Sequence, residues 1–197
     1  IWETVKHHFA VSACILQKDA RIGKIIGFYS VVFAAHTLLF FYSQQYFADF
    51  GYNKVQISVI MLLVGGASCF GALASEKMYR RFGKRCLIPE TVIIAAAILC
   101  YGAGKAGVTA AALMCAGFAN AALYPIQSDS LNALIPSEQR ATLISVDSMC
   151  FSIAMIVLFP LAGAFADRWG LKTVLLLLGD ILLLFLCLLY TSPSPRD

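Results

Sequence analysis

Residues 71–85 read GALASEKMYRRFGKR, and the fold turns on this stretch. It closes an apolar run that starts at residue 55 and carries no Asp, Glu, Lys or Arg before Glu76. Five basic residues follow, Lys77, Arg80, Arg81, Lys84 and Arg85, and a second apolar run then extends from residue 86 to 103. A helix of about 20 apolar residues crosses the ~30 Å hydrocarbon layer of a bilayer. Two such runs joined by a short basic turn are a membrane hairpin.

Working outward, the same pattern fills the chain. Six apolar stretches are long enough to span or nearly span a membrane: residues 25–48, 55–78, 86–103, 107–134, 141–166 and 171–190. The breaks between them are short and carry Gly51 and Asn53, then Gly102 to Gly107, then Pro136 to Arg140. Of 197 residues, 60% are hydrophobic and 13% charged, against roughly 25% charged in soluble domains. A signal peptide would supply one apolar stretch, not six. The reading is an all-α membrane protein whose residues 25–190 form a six-helix bundle. Residues 1–24 read as a cytoplasmic loop entered midway, since the chain opens on Ile1, and residues 191–197, with Pro193 and Pro195, as a tail of uncertain origin.

Basic residues set the orientation. With the amino-terminal segment cytoplasmic, ten Lys and Arg fall inside and four outside, as the positive-inside rule favours. That placement also explains the formal charge of +4 without nucleic acid. The seven cysteines form no CxxC pair and no spacing that suggests zinc or a disulfide framework, so they read as small apolar fillers. No cofactor or metal is expected.

The fifth apolar stretch ends in GAFADRWGLK, residues 163–172, which is similar to the end of the second. Each follows the second helix of a three-helix unit, and six spans put one inside and the other outside. A 3+3 inverted repeat requires that arrangement. Gly163, Asp167, Arg168 and Gly170, the related Gly71, Arg80, Arg81, Gly83, Lys84 and Arg85, and IPSEQRATLISVDSM at residues 135–149 together resemble the major facilitator superfamily. The resemblance covers residues 1–190. It implies the carboxy-terminal half of a twelve-helix transporter that works by alternating access, with the amino-terminal half of the same transporter as the missing partner. Where that family has Gly and then Asp-Arg in the first of these loops, this chain has Glu76 and then Arg80-Arg81.

Ionisable groups inside an apolar span are costly unless paired or wetted. Asp129, Asp147 and Asp180 are therefore candidates for proton coupling or gating, with Arg140 an available partner for the first two. Glu90, just after Pro89, reads as a partner of the basic loop before it. A candidate cavity face runs along the first span at three-to-four-residue steps, Tyr29, Phe33, His36, Phe40, Gln44 and Phe47, and along the fourth at Asn120, Tyr124 and Gln127. Aromatic and amide groups on one stripe suit an apolar pocket with a few orienting hydrogen bonds. In the family that the chain resembles, the first and fourth helices of each half line the central cavity.

These features lead to a secondary active transporter of a small molecule in the cell membrane, proton-coupled and leaning to drug or metabolite export. Sugar or nucleoside/proton symport and a non-transporting sensor of the same fold are the alternatives. No GxSxG, HExxH or other clustered catalytic pattern is present to support an enzyme.

Overall fold

A computed structural model of the chain describes residues 20–83, 87–135, 137 and 140–191, and all regular structure among them is helical. Six α-helices follow in order: α1 Ala20–Asp49, α2 Lys54–Phe82, α3 Leu87–Leu99, α4 Ala106–Ala133, α5 Arg140–Trp169 and α6 Leu171–Thr191. A 3₁₀ turn, Cys100–Ala103, extends α3. The first helix begins at Ala20, inside the 1–24 segment expected as loop. Nothing in Ala20-Arg21-Ile22-Gly23-Lys24 breaks a helix as proline would. The stretches 1–19 and 192–197, with Lys84 and Arg85 of the loop motif, lie outside the described residues.

Local chemistry sets several helix ends. Asn53 caps α2 by accepting from the Gln56 N–H at 2.9 Å, while the Gln56 side chain accepts from the Asn53 N–H at 2.9 Å. Such a reciprocal box satisfies two donors that the first turn leaves open. Gly83 after α2 and Gly170 between α5 and α6 have φ of +57° and +82°. Glycine takes such values without the Cβ clash that other residues meet. Pro125 and Pro160 lie inside α4 and α5 without ending them. Among the described residues four helices are long and apolar enough to cross a membrane, Ile22–Asp49, Lys54–Phe82, Ala106–Ala133 and Arg140–Trp169, and Leu87–Gly102 is a shorter apolar one.

The packing pairs helices that are not neighbours in sequence. Ser75 Oγ donates to the Ala122 carbonyl at 2.8 Å, and Gly71 lies against Phe118, one turn before each, so α2 and α4 run parallel. Ile22 and Ile26 cluster with Leu143 and Val146, and Tyr42 stacks on Phe159, so α1 and α5 also run parallel. Between the two pairs, α1 and α4 cross antiparallel: Ile22 and Ile26 meet Leu131 and Ile135, and Phe33 meets Tyr124. At the opposite side α3 and α6 are antiparallel, with Leu99 at Gly179 and Leu176 at Gly102.

Burial divides these elements. Within their most apolar windows α1 and α4 are each 44% buried, whereas α2 is 11% and α5 6% buried. The centre of the bundle is therefore the α1/α4 crossing. In lipid, where apolar association gains little, such contacts rest on close packing and hydrogen bonds.

Candidate functional site

The two stripes expected to line a cavity come together at the α1/α4 crossing. The Phe33 and Tyr124 rings lie 5.8 Å apart, and Tyr29, buried at 2% exposure, continues the aromatic row with its ring 5.8 Å from Phe33. Beside this contact a cleft of about 290 Å³ opens between α1 and α2. His36, Thr37 and Phe40 line it from α1; Met61, Val64, Gly65 and Ser68 line it from α2. None of these residues carries a fixed charge. Two buried polar atoms near it lack a hydrogen-bond partner: His36 Nε2 in the cleft lining, and Asn120 Oδ1 on α4 one turn before Tyr124. Unpaired polar atoms in an apolar interior are costly.

The sequence passes over the α2 wall of this cleft. Val64 and Ser68 are one turn apart on the face that also receives Gly117 of α4. The signal is the Ser68 hydroxyl within a run of apolar and small residues. That hydroxyl is tied to the Val64 carbonyl at 2.9 Å.

Other expected residues fall elsewhere. Gln44 is exposed on α1, and Phe47 is fully buried in the main core cluster. Gln127, only 1% exposed, points to α5 and donates through Nε2 to Asp147 Oδ2 at 2.9 Å. Asp147 thus pairs with a neutral amide and not with Arg140, and Arg140 forms no ion pair with Asp129 among the described residues. The reason is position: Asp147 lies two turns into α5, whereas Arg140 is exposed at its first residue. Asp129 and Asp180 are both exposed.

The loop motifs divide by role. Gly71 is not in a loop but on the buried face of α2. Arg80 pairs with Glu76 at 2.6 Å, exposed, one helical turn apart. Such surface pairs contribute little. The Arg81 guanidinium lies 5.7 Å from the centre of the Phe82 ring, and that of Arg168 lies 5.9 Å from that of Trp169. Gly163 packs against the Tyr42 hydroxyl, Asp167 is exposed, and the Gly170 N–H closes α5 on the Ala166 carbonyl at 2.8 Å. Glu90, read from sequence as a partner of the basic loop, is buried with neither carboxylate oxygen bonded, and Lys84 and Arg85 of that loop lie outside the described residues.

Long apolar helices packed through small residues define a multi-pass membrane protein, with a sparsely polar cleft between α1 and α2. The Major Facilitator Superfamily model matches residues 5–146. That is well over half of the chain, and the chain belongs to this family of membrane transporters. No match was found among curated proteins or among solved structures.

Proposed function

We propose that the chain forms the carboxy-terminal six-helix half of a secondary active transporter, built as a 3+3 inverted repeat and moving a small molecule by alternating access. The observation that carries this reading is the meeting of the α1 and α4 stripes beside the cleft that holds His36. The helix pairing supports the repeat: α2 against α4 and α1 against α5 are the pairs that a two-fold axis in the membrane plane would exchange. The positive φ of Gly83 and Gly170, each after the second helix of a triplet, fits the same relation.

An uncharged lining with a histidine, a threonine and a serine suits a largely apolar or aromatic molecule that offers one or two hydrogen bonds. Export of drugs or metabolites agrees with this better than carriage of sugars, which call for many hydrogen-bonding groups. Asp147, held by Gln127 where α4 meets α5, is the proposed coupling or gating carboxylate of the three named from sequence. The proposal includes a cytoplasmic amino-terminal segment and a cell-membrane location, supported by the excess of Lys and Arg on that side.

The full-length protein containing this chain, reconstituted in proteoliposomes, tests the reading with ethidium, uridine and glucose as probes and a trapped pH dye. Ethidium-driven proton movement that Asp147→Asn abolishes, and that His36→Ala weakens through a raised KM, is the expected result. Binding of a probe without any flux in the wild type would replace transport with a sensor role.

A further inference from the structure

Glu90 stands apart from every other acidic side chain described. It is in the first turn of α3, 2% exposed, and both of its carboxylate oxygens lack a hydrogen-bond partner. The adjacent Thr91 is fully buried, its hydroxyl bonded to the Leu87 carbonyl at 2.9 Å. Glu90 and Thr91 thus begin the buried face of α3, which continues through Ile94, Ala95, Ala97 and Ile98. Tyr101 at the far end of α3 is held by Ser43 and by Tyr46, whose hydroxyl donates to the Tyr101 carbonyl at 3.2 Å. Counting the same number of residues back along both helices brings Glu90 level with the turn Val32–Ala35 of α1, where Val32, Ala34 and Ala35 are buried.

Among the described residues of the helices packed on α3, no cation faces Glu90; Lys84 and Arg85, before α3, lie outside the described residues. At this level α1 offers His36, which lines the cleft, and Tyr29 one to two turns below. α6, whose register is set by Gly179 against Leu99, offers Leu186 and Cys187 there. α4 carries the neutral Asn120 in its middle and Asp129 near its end, the latter exposed. Asp180 of α6 is exposed near the opposite end of α3. An ionised carboxylate buried without counter-charge or hydrogen bonds is disfavoured, and the neutral acid avoids most of that cost.

We infer that Glu90 is a proton-carrying site of the transporter, holding its proton as a neutral carboxylic acid in the described conformation and giving it up to water when α3 is re-exposed. The chemistry is one O–H bond formed from hydronium at one face of the membrane and broken to water at the other. This assignment rests on the transporter reading for its coupling role, but the protonated state itself does not.

Infrared spectroscopy of the full-length protein in lipid at neutral pH separates the two. A carbonyl stretch of a non-ionised carboxylic acid, sensitive to deuterium exchange, is expected in the wild type, lost in Glu90→Gln and restored at a shifted frequency in Glu90→Asp. In proteoliposomes with ethidium, Glu90→Gln is expected to keep substrate exchange within about two-fold and to lose proton-driven accumulation by ten-fold or more. A Glu90→Gln protein that retains the infrared band, or accumulates ethidium like the wild type, overturns the inference. A wild type that shows the band but moves none of the probes defeats the transporter reading and leaves the protonated acid standing.

Discussion

The two parallel helix pairs are built differently, although a repeat would relate them. In the α2/α4 pair, a Cβ on Gly71 would sit 2.1 Å from the Phe118 carbonyl oxygen, and one on Gly117 2.8 Å from Ser68 Oγ. In the α1/α5 pair, aromatic rings fill the gap: Phe159 stacks on Tyr42 at 5.4 Å and meets Phe41 edge-on at 5.7 Å. A Cβ on Gly163 would meet only the Tyr42 hydroxyl, at 3.2 Å. One seam is backbone on backbone and has no slack. The other is side chain on side chain, and rings can slide or turn where a carbonyl cannot. For the alternating access proposed above, the contrast predicts that α2/α4 is the seam that stays fixed and α1/α5 the one that gives.

The largest expected effect tests that contrast directly. Gly71→Ala puts a methyl into the Phe118 peptide and must separate two helices, so it is expected to destabilise by about 3 kcal/mol, the upper range for overpacking. Gly163→Ala displaces a hydroxyl at the end of a mobile ring and is expected to cost no more than about 0.5 kcal/mol. Thermal unfolding of the full-length protein in detergent reads both. Equal losses would erase the distinction between the seams.

The joint between the seams comes next. Gln127 on α4 and Asp147 on α5 connect them through a single hydrogen bond of 2.9 Å. Asp147→Ala strands a buried amide and is expected to cost about 1–2 kcal/mol. Asp147→Asn keeps an acceptor oxygen and is expected to change stability by less than about 1 kcal/mol while abolishing coupled flux. If both variants lose stability alike, the carboxylate acts as a structural partner and its coupling role falls.

The long apolar runs, the turn chemistry and the α1 and α4 stripes are legible in sequence because each rests on period and composition, which the chain carries locally. Partners are another matter. Arg140 and Asp147 are close in sequence, yet on one helix two turns separate them in depth, and the amide that reaches Asp147 comes from α4. Glu90 follows a basic loop, and only the packing of α3 against its neighbours shows that its carboxylate is buried. The α2 wall of the cleft is hidden for the same reason: Gly65 and Ser68 look like ordinary small packing residues until α1 is laid against them.

The glycines that end α2 and α5 sharpen the comparison at the level of the chain. Gly170, with φ of +82°, lets α6 start one residue after α5 stops. Gly170→Ala is expected to cost about 1 kcal/mol, the usual penalty for a Cβ in the left-handed region. Gly83, at φ +57° and ψ −144°, lies outside the left-handed helical well in a region that only glycine takes readily, and Gly83→Ala is expected to cost more, about 2 kcal/mol. Equal losses in thermal unfolding would argue that the two loops carry the same strain despite their different backbone angles.

The smallest expected effect is the most discriminating for the seams. A side-chain hydrogen bond to a backbone carbonyl crosses each seam: Ser75 Oγ to Ala122 at 2.8 Å in α2/α4, and Tyr42 Oη to Phe159 at 3.2 Å in α1/α5. Hydrogen bonds between membrane helices contribute about 0.6 kcal/mol on average, so Ser75→Ala and Tyr42→Phe should each lower stability by about that much. Their consequences for transport should differ. Ser75 is buried in a seam already locked by Gly71 and Gly117, so its loss should leave the rate unchanged once folding is matched. The Tyr42 bond must break if its ring slides past Phe159, and removing it lowers the barrier to that motion. Tyr42→Phe is therefore expected to speed ethidium exchange about two-fold while Ser75→Ala does not, and the opposite pattern would transfer the moving seam to α2/α4.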